Sequence, residues 1–131
     1  MAPSAGAVYY GTHIFPDGGC STKFALVLHA DATTDKVIIC IATKIPSDKN
    51  KNPGCHFKTQ RFFIPANQEF FEMDTYLELL RFTEFTYTDF TANSPLAFSF
   101  AFPPTMLAKI RECLKKLVED IPADYFPLIT Q

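Results

Sequence analysis

The amino-acid sequence predicts an α+β fold, mainly β: a small antiparallel sheet of five or six strands capped by a C-terminal amphipathic helix. Three observations carry that expectation. The first half is built from short apolar runs rich in Val, Ile, Tyr and Phe, each closed by turn-forming residues. The connections between those runs are brief, which favours antiparallel pairing of neighbours. Only one stretch, residues 104–121, repeats its apolar residues at steps of three and four.

The first three strands are residues 7–15 (AVYYGTHIF), 23–30 (KFALVLHA) and 36–42 (KVIICIA). A small, glycine-containing connection (residues 16–22) and a polar loop (residues 31–35) separate them. Residues 43–54 (TKIPSDKNKNPG) hold two prolines and no periodic apolar face, so they read as a long exposed loop. A fourth strand is expected over residues 56–64, ended by Pro65. A fifth is expected over residues 74–85, where Leu77 and Leu79 alternate with Glu78. Residues 86–102 read as loop plus a short strand near 96–100. In the helix, Met106, Leu107, Ile110, Cys113, Leu114, Leu117, Val118 and Ile121 form one apolar stripe. Pro104 suits its first turn, where the missing N–H costs nothing, and Pro122 ends it. The tail, residues 122–131, carries Tyr125, Phe126, Leu128 and Ile129, which either pack back on the sheet or meet a partner.

The chain has 131 residues, which fits one domain (sheet about 6–102, helix 104–121, tail 122–131). Its hydrophobic share of 47% is too high for intrinsic disorder. The formal net charge of −2 argues against a generally basic nucleic-acid coat. That near-neutral total conceals two opposed windows. Residues 43–61 hold five basic side chains (Lys44, Lys49, Lys51, Lys58, Arg61) against Asp48 alone, and residues 69–89 hold six acids against Arg81 alone. The acidic window reads as a solvated outer face. The basic one interleaves with His56, Phe57, Phe62 and Phe63, and charge beside aromatic faces is what single-stranded nucleic acid asks of a groove. No apolar run reaches the ~18–20 residues of a membrane span, and residues 1–7 lack a secretory start, so a cytoplasmic protein with no membrane contact is expected.

Cys20, Cys40, Cys55 and Cys113 show no two-residue spacing, which removes zinc-knuckle and thioredoxin-like motifs, and free thiols are expected in the cytosol. Cys55 and His56 are adjacent, but neighbours in an extended strand point to opposite faces and do not clamp one ion. No metal site is therefore expected. Histidine is the side chain type suited to moving protons near neutral pH, which makes His13 and His56 candidates for that task.

The opening Gly6-x-Val8-Tyr9-Tyr10, the glycine-containing loop, the run Thr22-Lys23-Phe24-Ala25-Leu26-Val27-Leu28, the strand ending Ile41-Ala42-Thr43-Lys44 and the helix after a proline together resemble the PemK/MazF-type toxin family over roughly residues 6–117. The resemblance implies an SH3-like β-barrel with a terminal helix, usually a homodimer, that cleaves single-stranded RNA without a metal or other cofactor and is silenced by an antitoxin peptide. Carried over by position, Lys23 stands where the family typically has Arg and would stabilise charge on the phosphate, while Thr43 would hold it. Phe24 stands where the family commonly has Pro. A guanidinium grips two phosphate oxygens in a fixed fork, whereas the ammonium of Lys23 is a mobile point charge. The expected catalytic set is Lys23, Thr43, His13 and His56, with Lys44, Lys49, Lys51, Lys58 and Arg61 binding the strand. Two alternatives stand beside it. One is a non-catalytic barrel that binds a peptide or protein partner, and the other is a nucleic-acid-binding module without cleavage.

Overall fold

Among the described residues seven strands pair in one antiparallel sheet in the order β4-β5-β6-β3-β2-β1-β7. They are β1 (Ala7–Ile14), β2 (Cys20–Asp31), β3 (Lys36–Lys44), β4 (Gly54–His56), β5 (Arg61–Ile64), β6 (Thr75–Phe85) and β7 (Leu96–Ala101). Three short helices accompany them: α1 (Tyr87–Ala92), α2 (Pro104–Lys115) and α3 (Phe126–Ile129). This is a computed structural model of the chain, and it describes residues 2–14, 20–44, 53–66, 70–71, 74–92 and 96–131. Among the described residues no helix is long and apolar enough to cross a membrane.

The alternation of side chains along each strand gives the sheet two different faces. Val8, Leu26, Cys40, Ala42, Phe62 and Leu77 point to one of them and pack with Ile110, Leu114 and Leu117 of the C-terminal segment. Ile129 and the flanking Tyr125, Phe126 and Leu128 join the same cluster, so the apolar tail folds back on its own sheet. On the opposite face Tyr9, Ala25, Val27 and Ile39 pack against Phe90 of α1 and Leu96. That second cluster covers only part of its face. Leu114 is fully buried, so Leu114→Ala is expected to cost about 2–5 kcal/mol, read as a lower denaturant midpoint at constant m. A loss below about 1 kcal/mol would place that side chain outside the core.

Four expectations change. The strand expected over residues 56–64 is two strands around a 3-10 turn at Phe57–Thr59, which makes seven strands rather than five or six. Gln60 closes the turn at φ 61° and ψ 37°, a left-handed conformation without a glycine to announce it, and its N–H donates to the Phe57 carbonyl. Within residues 86–102, the segment taken as loop contains α1. Its first turn is capped by the Thr86 hydroxyl accepting from Asp89 N–H at 3.0 Å and by Asp35, which accepts from Thr88 N–H at 2.8 Å. The helix expected to reach Ile121 ends at Lys115. There the backbone tightens into i→i−3 bonds from Lys116, Leu117 and Asp120. Lastly, Cys55 and Cys113 form a disulfide joining β4 to α2, so this pair is not the free thiols expected from a reducing compartment. Cys40 is a free, buried thiol, held up at about 12 chiefly by burial.

The sheet is open: among the described residues β4 and β7 form its edges and do not pair with each other. Register shifts interrupt the ladders between Val8 and Tyr9, Val27 and His29, and Cys40 and Ile41. Irregularities of this kind bend and twist the strands that carry them.

At the folded-back tail, the Tyr125 hydroxyl donates to Glu84 Oε1 at 2.8 Å. Burial, then Glu84, push this phenol up to about 12 from an ordinary value near 10. A group raised in the folded state contributes stability that is complete below its unfolded pKa and is lost as pH rises through the folded one. Stability is therefore expected to fall between about pH 10 and 12, with a shallower fall in Tyr125→Phe. Identical alkaline limbs in the two proteins would contradict this.

Candidate functional site

Strand register alone assembles a polar patch on the sheet face that α1 leaves partly uncovered. Ala25 pairs with Ile41 and Phe24 with Ala42, where the β2–β3 ladder ends, and one position further out Lys23 and Thr43 lie on neighbouring strands and on the same face as Ala25 and Ile41. Lys23 also pairs with Gly11 of β1, and Thr43 with Tyr76 of β6. Tyr76 continues to Phe63 of β5. One row thus consists of two paired stretches, Leu96, Gly11, Lys23 and Thr43, Tyr76, Phe63, which approach each other just past the end of the β2–β3 ladder. A second row beside it runs Phe98, Tyr9, Ala25, Ile41, Glu78, Arg61, His56.

Side-chain bonds tie the two rows together. The Thr43 hydroxyl donates to Glu78 Oε1 at 3.2 Å, and Arg61 Nε–H donates to the same oxygen at 2.9 Å. The Glu78 side chain is 15% exposed and that of Arg61 36%, so the pair is partly buried on the sheet face rather than in open solvent. The Arg61 guanidinium also lies 5.0 Å from the centre of the Tyr76 ring. Tyr76 is buried and meets the Phe63 ring at 5.5 Å and the His56 ring at 5.9 Å, both edge-on. The aromatic floor fixes the planes on which the cation and the imidazole rest.

Lys23, Thr43, Arg61 and His56, four of the residues singled out from sequence, therefore stand on the same pair of rows. Lys58 lies apart, exposed in the 3-10 turn between β4 and β5. His13 occupies a β1 position opposite Ser21, and Lys44 a β3 position opposite Thr75; their side chains lie outside the described structure. Lys49 and Lys51 lie outside the described residues altogether. The basic window thus contributes Arg61 to the patch from a strand, as the expected strand over residues 56–64 implies.

Neither a family model nor a curated protein matches this chain.

Glu78 is the residue the sequence pattern misplaces. Six acids in residues 69–89 suggest a solvated face, but β6 is an interior strand, and its Glu78 lies between Arg61 and Ile41. A usable signal was present: a single carboxylate between two leucines of a strand, where alternation sends Leu77 and Leu79 to the core and the acid to the opposite face. Among the described residues no three His, Cys, Asp or Glu side chains gather as a metal would require. The chemistry on hand is a carboxylate, an imidazole, two cations and a hydroxyl.

Proposed function

We propose that the chain is a PemK/MazF-like, metal-independent endoribonuclease acting on single-stranded RNA. The observation that carries this reading is the sharing of Glu78 Oε1 by Thr43 and Arg61, with Lys23 beside Thr43 on the next strand. One guanidinium and one hydroxyl meet at that oxygen, and with the Lys23 ammonium on the neighbouring strand they are donors suited to the anionic oxygens of a phosphodiester. In cleavage by 2′-hydroxyl attack, Glu78 accepts the proton of that hydroxyl and His56 donates one to the departing 5′ oxygen. Base and acid then flank Arg61, roughly 10 Å apart across two strand spacings, with the phosphate between them. Lys23 and Arg61 neutralise the charge that builds on the phosphorane, and Thr43 donates to it.

The SH3-like barrel belongs to the same proposal. Its support is the unbroken antiparallel run from β5 through β6, β3 and β2 to β1, with the register shifts that allow such a sheet to curl. A homodimer and an antitoxin-like peptide that blocks the patch complete the reading, while the cytoplasmic site expected from sequence is not carried over, because the Cys55–Cys113 disulfide fits an oxidising compartment. A second reading, a non-catalytic partner-binding barrel, has one observation in its favour: the donors of Thr43 and Arg61 are turned onto an internal carboxylate, as a purely structural buttress would require.

Incubation of the purified chain with mixed-sequence single-stranded RNA, with and without EDTA, separates the two. Cleavage that persists in EDTA and leaves 2′,3′-cyclic phosphate ends is expected. RNA left intact at large protein excess would rule out the nuclease.

A further inference from the structure

A cavity of about 220 Å³ opens on the same sheet face, at the β7 end of the two rows. Pro3, Tyr9, Phe90, Thr91, Leu96 and Phe98 line it. Tyr9 meets the Phe90 ring edge-on at 4.9 Å and the Phe98 ring at 5.8 Å, so three aromatic rings frame one opening. Phe98 is 40% exposed, a ring surface offered to whatever enters, while Tyr9 is only 6% exposed. Among the described residues the Tyr9 hydroxyl makes no hydrogen bond, so a lining residue of the cavity carries a polar group that a ligand can engage. Burial, and then Tyr87, hold that phenol above its ordinary range, so it stays a donor throughout neutral pH.

The cavity neighbours the patch described above through strand pairing. Leu96 in its wall and Lys23 in the patch both pair with Gly11, from opposite sides. Gly11 adds no side chain between them. Two strand spacings put Leu96 and Lys23 about 10 Å apart, within reach of adjacent nucleotides on one strand.

We propose that this cavity is a nucleobase subsite: the base of the nucleotide beside the phosphate held at Lys23 and Thr43 enters it, stacks on Phe98 and accepts a hydrogen bond from the Tyr9 hydroxyl. This rests on the single-stranded RNA reading given above and adds to it where sequence preference is set. Base stacking on an aromatic side chain is tolerant of base identity, whereas the hydroxyl discriminates by where a base presents an acceptor. Phe98 therefore supplies affinity and Tyr9 selectivity.

The test maps cleavage positions in an RNA pool with randomised bases, using wild type, Phe98→Ala and Tyr9→Phe. Phe98 is exposed and Tyr9→Phe keeps the ring, and circular dichroism verifies that both fold. Wild type is expected to cut beside a restricted set of bases. Phe98→Ala is expected to slow cleavage by about tenfold. Tyr9→Phe is expected to keep the rate within severalfold but broaden the base preference. Unchanged rate and preference in both variants would overturn the subsite while leaving the nuclease in place. Should wild type cut no RNA, the full chain is titrated with a nucleoside 5′-monophosphate and the aromatic resonances are followed by NMR. Saturable shifts of the Phe98 and Tyr9 rings, lost in Phe98→Ala for the remaining ring, support the subsite without the nuclease. Rings unmoved at millimolar nucleotide overturn it.

Discussion

Glu78→Gln is expected to lower the single-turnover rate of RNA cleavage by roughly 10²–10⁴-fold while leaving the fold and the melting temperature nearly unchanged. The amide keeps an oxygen where Oε1 stands, so Thr43 and Arg61 retain their acceptor. What disappears is the capacity to take a proton from the 2′-hydroxyl. Lys23→Ala removes one charge facing the phosphate and is expected to cost roughly 10²–10³-fold, the scale of losing one preorganised donor. Lys23→Arg, which restores a forked donor, is expected to cleave at least as fast as wild type. A Glu78→Gln protein with unaltered rate would remove the carboxylate from the chemistry. Loss of the fold in that variant would instead make Glu78 the strut holding β5 to β3, and binding without cleavage would then be the better account.

Opening Cys55–Cys113 should produce the largest change in stability. The bond closes 58 residues of sequence and joins the short edge strand β4 to a buried position of α2. A loop of that length contributes about 4 kcal/mol in the chain-entropy account, which corresponds to a fall in melting temperature of about 10–15 °C for a domain of this size. Cys55→Ser with Cys113→Ser, or a dithiol reductant on the native chain, should give similar shifts. A shift of less than about 3 °C would mean that the cross-link is not formed in solution or constrains little. Cys55 precedes His56 directly, so the same reduction is expected to loosen the edge that carries the imidazole. Contact across the junction persists through Lys116, whose ammonium lies 5.4 Å from the centre of the Phe57 ring.

Much of the architecture was legible because it follows from local rules. Strands β1, β2, β3 and β6 announce themselves by apolar runs of strand length between turn formers, and α2 begins where Pro104 allows it to. What was not legible depends on contacts distant in sequence or on conformations without a compositional mark. Gln60 makes a left-handed turn that a glycine would have advertised. Helix α1 has six residues, two of them threonines, and draws part of its N-terminal cap from Asp35, 53 positions away. The disulfide joins residues that no spacing rule pairs.

The candidate site divides along the same line. Lys23 and Thr43 are legible as residues at the ends of aliphatic strands, and the register brings the two strands that carry them side by side. Arg61 stands out through charge within the strand expected over residues 56–64, and the ladder adds what sequence does not show, the Glu78 carboxylate it faces. Glu78 was hidden by the company it keeps. In a window of acids its charge reads as solvation, and only the pairing of β6 with both β3 and β5 shows what it touches.

One titration tests most directly whether these rows bind a phosphodiester. The full chain, labelled with ¹⁵N, is titrated with a short single-stranded oligonucleotide whose 2′ positions are deoxy and therefore not cleavable. The largest amide shifts are expected at Lys23, Thr43, Arg61 and Glu78, weakening steeply as salt is raised because the contact is to phosphate. Shifts centred on the exposed side of α2 with those four residues silent, or no shifts at millimolar strand, would contradict the account.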